Sequence, residues 1–208
     1  MSYIENYSFI NESKRTFGFD NNSHSLSDKE TVENDFLTYI YRNQNYNYSK
    51  FFKMDFLAKN VFLLAENLKN FLPENRNNVG IVFMNNFASF EADVKFEKTI
   101  SDKNNYFPSP SIFVYTLPNI STGEVCIRHG LKGESSFYVL EKFSPEIFVN
   151  IVNSSLIFQD YVLSGWSEFV NSQIKSMMFL VSKFPKKENC EKFDAFNVKK
   201  IFETIWKN

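Results

Sequence analysis

Histidine and cysteine, the side chains most often recruited for nucleophilic and metal chemistry, number only two each in this chain of 208 residues. Cys126 and Cys190 do not make the multi-bridge framework of a small secreted domain, so a reducing, cytoplasmic setting is expected. Two thiols and two imidazoles also fall short of a zinc-type ligand array, and neither a metal nor a cofactor is expected. There is no phosphate-cradling glycine loop, nucleotide fingerprint or carboxylate dyad. Neither sign of charge is in excess, with 23 Lys and Arg against 24 Asp and Glu. That balance supplies no broad positive field and argues against nucleic-acid binding. The first residues, MSYIENYSFINESKR, lack the basic start and apolar stretch of a secretory signal. The longest aliphatic runs, VFLL and MMFLV, are too short to cross a bilayer, so no membrane span is expected.

Aromatic residues are plentiful, with 25 Phe and 10 Tyr in a chain that is 43% hydrophobic. Large flat side chains therefore dominate the core. The length suits a single domain over residues 1–208.

YIENYSFI alternates as an initial strand. Residues 11–34, rich in Asn, Ser, Asp and Glu, have no apolar period and read as a polar surface loop, with His24 solvated inside it. Leu57, Val61, Leu64, Leu68 and Phe71 then fall on one helical stripe that Pro73 ends. NVGIVFM, residues 78–84, is a buried strand, and residues 87–99 a second helix. Two prolines in FPSPSI break the chain before another helix. Pro118 interrupts that helix, Asn119 is placed to cap its continuation, and Gly130 is the expected left-handed stop. Gly123, inside the continuation, costs roughly 1 kcal/mol against alanine, which suggests close approach of another backbone. SSFYVLE is a strand. Ser144-Pro145-Glu146 starts a helix with a cap, a first-turn proline and an acid at the positive dipole end. Ile147, Phe148, Ile151, Val152 and Leu156 give that helix its buried face. DYVLSGW and SMMFLVSKF are two more strands. Residues 186–208 hold a polar connection and a closing amphipathic helix. Strands alternating with helices imply an α/β fold: a layered, mostly parallel sheet flanked by helices.

Three stretches carry a family resemblance. KFFKMDFLAKNVFLLAENL, TLPNISTGEVCIRHGLKG and QDYVLSGWSEF resemble the N-terminal half of β-ketoacyl synthases, in order and at compatible spacings over roughly residues 48–185. The first resembles the family's KMDR helix entry. The second resembles a helix ending in R-x-G-L-x-G-P, and the third the strand D-x-x-L-A-G-G-x-E. The fold so implied is thiolase-like, with the chain covering the first of two similar halves.

In that family, the strand after the glycine turn leads to a cysteine at a helix start, where the helix dipole lowers the thiol pKa. Here the matching window, Leu140 to Phe143, contains no cysteine, and Glu141 and Lys142 occupy the nucleophile-equivalent position. Glu134 replaces the motif proline, and Trp166 stands where the family has a second glycine, so packing there must differ. The family's remaining catalytic groups come from the second half, and the chain reaches Asn208 before it. Condensation by this polypeptide alone is not expected.

Other candidates are few. Cys126 and His129, spaced i, i+3, are the remaining thiol–imidazole pair, with a small buried cysteine as the plain alternative. Ser144 reads as a cap, and Cys190 has no evident base. Glu141 and Lys142 read as surface or interface charges, or as a polar pair at the empty site.

The resemblance implies a two-fold contact through the strand around Phe137, Tyr138 and Val139, whose edge a monomer leaves unpaired. The expected partner is a second copy or a full-length ketosynthase. An acidic acyl carrier protein is a further candidate, contacted through Lys132 and Lys142, with Lys186 and Lys187 beyond the last strand.

The reading is of a non-catalytic, chain-length-factor-like accessory protein in fatty-acid, polyketide or aryl-polyene-type biosynthesis. The alternatives are an acyl-processing enzyme (a 3-oxoacyl-carrier-protein-synthase-like acyltransferase) using an unrecognised nucleophile, and a small acyl-chain-binding protein.

Overall fold

A computed structural model describes residues 1–20, 22–25, 35–170, 173–186 and 190–207. Strand β4 (Val79–Asn85) is the physical centre. Its sequence VGIVFMN is buried at every position, so both faces must be covered. Val79, Ile81 and Phe83 point into one apolar cluster, while Val82 and Met84 point into the other. That alternation is the two-residue period of a strand.

The sheet runs β3-β2-β1-β7-β6-β4-β5, with β8 joined to β1. These strands are β1 (Tyr3–Asn11), β2 (Thr16–Phe19), β3 (Asn22–Ser25), β5 (Ser135–Val139), β6 (Tyr161–Val170), β7 (Gln173–Ser182) and β8 (Glu191–Lys192). β4 pairs in parallel with β5 and β6, and the other described pairings are antiparallel. The layered α/β architecture is as the sequence implies. Parallel pairing is confined to β5-β4-β6, where helical crossovers lead from one paired strand to the next. β6 and β7 follow one another directly and pair as a hairpin, as do β1 to β3.

One face of the sheet carries α1 (Phe36–Asn43), α2 (Phe56–Leu68) and α5 (Asn119–His129). The Asp55 side chain caps α2 by accepting from the Ala58 N–H at 2.9 Å, and Leu57, Val61, Leu64 and Leu68 are buried as the stripe predicts. Each such side chain contributes roughly 1.5–3 kcal/mol on burial. Ser8 Oγ donates to the Leu64 carbonyl at 2.8 Å, tying α2 to β1. α3 (Phe90–Ile100) and α4 (Pro110–Tyr115) lie at the margin of this core, which α4 touches through Tyr115, and are joined by Phe96 against Phe113 at 5.2 Å.

The other face carries α6 (Pro145–Ser155) and α7 (Ala195–Lys207). Ser144 Oγ accepts from the Ile147 N–H at 3.3 Å, the predicted cap. The buried face of α6 is Phe148, Val149, Val152 and Leu156, with Ile151 partly buried. Ile147 instead faces solvent, because the stripe turns one position toward Val149. The outward side of α6 carries exposed Asn150, Asn153 and Ser154, so no aromatic surface runs along it.

Three other expectations are corrected. Residues 11–34 are not simply a loop: Thr16–Phe19 and Asn22–Ser25 extend the sheet, and Phe17 is buried against the first core. The polar residues around them hid a hairpin in which Phe17 is buried and Phe19 packs on Phe71 at 6.2 Å; residues 21 and 26–34 lie outside the described set. Asn119 does not cap α5; Pro118 holds that position in helical conformation and makes no side-chain cap bond. Gly123 packs against no backbone, since a Cβ there would meet nothing within 4 Å. The left-handed stop at Gly130 is as expected, with φ of 66°.

Close approach occurs at Gly133 instead. A Cβ there would lie 2.6 Å from the Val79 carbonyl carbon and oxygen, and it would strike the Gln159 amide wedged between Gly133 and Gly80. Gly133→Ala should therefore cost about 2–4 kcal/mol in denaturant unfolding. Gly123→Ala, in open space on a helix, should gain about 0.5–1 kcal/mol. Equal effects from the two would contradict this packing.

Candidate functional site

The crossing from β5 to α6 is where the resemblance directs attention. Leu140 continues the pairing of β5, its N–H donating to the Asn85 carbonyl at 2.9 Å. Asn85 is buried and clamps the next turn: its Nδ2 donates to the Ala88 carbonyl and its Oδ1 accepts from the Ala88 N–H, both at 2.9 Å. Leu140 and Phe143 turn into the second core, which leaves Glu141 and Lys142 exposed on the outside of the bend. These two make no ion pair with each other among the described residues. Ser144 Oγ is engaged twice, capping α6 and donating to Glu146 Oε2 at 3.1 Å.

Aromatic rings fill the space behind the bend. Phe143 stacks on Phe202 at 4.2 Å and packs on Trp166 at 5.5 Å and Phe148 at 5.6 Å. Phe202 in turn stacks on Trp206 at 4.4 Å. Both indole N–H groups donate to one carboxylate, Trp166 to Glu168 Oε1 at 3.1 Å and Trp206 to Glu168 Oε2 at 2.9 Å. Trp166 is fully buried, occupying room that a glycine would leave open. α7 thus seals the crossing with Phe202 and Trp206. Sequence reasoning flagged Trp166 but missed the two rings from α7, whose only signal was the amphipathic pattern of that helix.

Cys126 and His129 do not act on each other. Burial pushes the Cys126 thiol up, only partly offset by a hydrogen bond with Ser135, so it stays protonated. His129 Nε2 lies 3.7 Å from the fully buried carboxylate of Glu66. Burial pushes His129 down to about 4, with Arg128, Arg76 and Lys69 adding to the shift and Glu66 opposing it. Glu66 accepts from Arg128 Nε at 2.5 Å and pairs with Lys69 Nζ at 3.2 Å. Burial alone would raise this carboxyl, but Arg128, His129 and Lys69 hold it below the usual range. Arg128 also lies over the Tyr48 ring at 4.8 Å, and Lys69 over Tyr46 at 5.2 Å. This network bolts α2 to α5. Its sequence signal was a lone glutamate inside an apolar helix.

The remaining candidates are scattered. His24 is exposed on β3 and stacks on Phe17 at 5.4 Å. The Cys190 thiol faces Glu5 at 3.6 Å, beside a cleft of about 330 Å³ between β1, β8 and α7. No group of three His, Cys, Asp or Glu placed to hold a metal occurs among the described residues. Lys132 and Lys142 lie beyond opposite ends of β5, a strand of five residues that spans about 16 Å. A single small contact therefore does not join them. Lys186 lies over the Tyr161 ring at 4.7 Å, and Lys187 is outside the described residues.

β5 is the last strand of its side of the sheet. Phe137 leans inward on Phe83 at 6.0 Å, whereas Tyr138 and Val139 are exposed. α5, which packs on β5, exposes Ile127 at 70%, and α4 with the turn after it exposes Phe113, Val114 and Leu117.

No family profile and no curated protein matches the chain. Solved structures do. The ishigamide ketosynthase/chain length factor is similar at TM-score 0.64 and 14% identity, over 90% of this chain and 63% of that one. The chain thus spans less than two thirds of that neighbour. A ketosynthase (ApeO) in complex with its chain length factor (ApeC) from Xenorhabdus doucetiae is similar at TM-score 0.54 and 10% identity, over 88% and 80%. At such identities the likeness establishes the fold: a mixed α/β, thiolase-like fold of the ketosynthase/chain-length-factor type.

His129 supplies a pH test. Its pKa is lower in the folded chain than the ordinary 6.5, so its contribution is complete above about pH 6.5 and is lost as pH falls toward 4. The full shift is worth about 3 kcal/mol. Asp55 works in the opposite sense, since burial raises its carboxyl to about 6 and its contribution is lost as pH rises through that value. Comparing His129→Gln with the parent isolates the histidine. Thermal melts should show the parent losing stability relative to the variant between about pH 6.5 and 4.5. Parallel curves would rule out a buried neutral imidazole.

Proposed function

We propose that this chain is a non-catalytic, ketosynthase-like subunit that acts by pairing with a chain of the same fold. Its role resembles that of a chain length factor in fatty-acid, polyketide or aryl-polyene-type biosynthesis. The observation that carries the reading is the sealed crossing: Phe143, Trp166, Phe202 and Trp206 fill the region behind Glu141 and Lys142. An acyl substrate needs a nucleophile there and a channel to reach it. The ketosynthase-like fold and neighbours whose names couple a ketosynthase with a chain length factor support it.

Pairing through the free edge of β5 extends the sheet and covers Tyr138 and Val139, while α4 and α5 add an apolar flank. The partner is a full-length ketosynthase or a second copy. Lys142, at the same end of β5 as the crossing, is the lysine that suits an acidic carrier protein docked at the partner's entrance. An acyl-processing role through Cys126 and His129 is disfavoured by a raised thiol pKa and an imidazole turned to Glu66.

Co-expression with a ketosynthase encoded alongside, followed by native mass measurement, tests the pairing. A stable two-chain complex is expected, weakened at least about tenfold by Val139→Lys with no change in melting temperature. A chain that stays monomeric alone and in that mixture refutes it. Incubation with acyl-carrier protein or acyl-CoA should leave no covalent acyl adduct; an adduct lost in Cys126→Ala would instead establish an enzyme.

A further inference from the structure

The free edge of β5 is complementary to itself. In the parallel ladder with β4, the Ile81 N–H donates to the Glu134 carbonyl at 2.8 Å, and the Leu140 N–H to the Asn85 carbonyl at 2.9 Å. Ile81 stands opposite Ser135 and Asn85 opposite Val139, so the even-numbered residues of β5 are the ones that bond to β4. The backbone N–H and C=O groups of Ser135, Phe137 and Val139 therefore face outward, and no described strand takes them. Phe137 is the middle residue of the strand. A two-fold axis through it sets Phe137 against its own copy, Ser135 against Val139 and Ser136 against Tyr138. In that antiparallel register the outward-facing residues meet one another as hydrogen-bonded pairs, and every free backbone group of the edge is satisfied.

The side chains fit the same register. Small meets large at each pair off the axis: Ser135, bonded to Thr122 at 2.9 Å, leaves room for exposed Val139, and Ser136 leaves room for exposed Tyr138. At the axis Phe137 leans inward on Phe83, which keeps the two rings from colliding. Charge also permits it. Lys132 and Glu134 bound the start of β5, and Glu141 and Lys142 its finish, so antiparallel pairing sets one acid and one base against one acid and one base at each end. Ile127, exposed on the helix that packs on β5, adds to the apolar surface available for cover. We propose that the partner of β5 is a second copy of this chain, joined antiparallel with the two-fold axis at Phe137. This rests on the pairing reading above and fixes both its partner and its register.

Sedimentation equilibrium of the chain alone, followed by cross-linking, tests this. A species of two copies is expected. Val139→Pro, which removes an outward N–H while leaving the bonds to β4 in place, should weaken it at least about tenfold; an unchanged circular dichroism spectrum checks the fold. Positions 136 and 138 of the two copies face each other as a non-hydrogen-bonded pair with Cα atoms about 4.5 Å apart, within the span of a disulfide. The double variant Ser136→Cys with Tyr138→Cys should therefore give a covalent two-copy product on oxidation with diamide. Neither single variant should, because each position is about 7–8 Å from its own copy. The parent, with Cys126 and Cys190 in place, is the control. A link formed by a single variant, or none by the double variant, overturns the register. A chain that is monomeric alone but pairs with a ketosynthase overturns the inference and leaves the pairing reading standing, whereas a chain that pairs with neither overturns both.

Discussion

The structure depends on the burial of β4 on both faces. A strand reading VGIVFMN has no side that tolerates water, so helices must close over it from two directions. α2 and α5 do so on one face, α6 and α7 on the other. The neighbours of β4 follow from the same demand, because crossovers through helices return β5 and β6 parallel to it. The bend after β5 is thereby placed at the C-terminal end of the parallel strands, against the start of α6, where α/β sheets commonly carry ligand sites.

What fills that position is chemistry of a different kind. A helix start beside a bend is suited to lowering a thiol pKa and holding an oxyanion. Here the first turn of α6 is satisfied by Ser144, and the volume behind the bend is taken by stacked rings. Two indoles sharing the Glu168 carboxylate fix that packing with directional bonds, so the seal is a specific arrangement of side chains. His129, Glu66 and Asp55, three titratable groups with shifted pKa values, sit between or at the ends of helices on the opposite face and serve the attachment of α2 and α5.

Much of this was legible in the residues. The stripe of α2, the cap and proline of α6, the apolar run of β4 and the left-handed Gly130 each follow from local rules, and each is found. The hairpin of β2 and β3 was not legible, because β3 reads NSHS and the short TFGF of β2 sits among polar residues. Close packing was expected at Gly123 and is found at Gly133, where the crowding comes from Val79 and Gln159, which are distant in sequence. The parallel share of the sheet was overread for a related reason, since strand order along the chain does not disclose which neighbours pair as hairpins.

By itself the sequence determined the element types outside residues 11–34, the apolar strand and helix faces that form the core, and the absence of a cysteine from Leu140 to Phe143. These rest on side-chain identity and on periods of two and 3.6 residues, which act over a few neighbours. Only the tertiary structure decided that α7 closes the crossing, that Glu66 meets Arg128 and His129, and that Lys132 and Lys142 stand at opposite ends of one strand. Each of these joins residues dozens of positions apart or depends on the direction of a strand in space, and no local rule reaches that far.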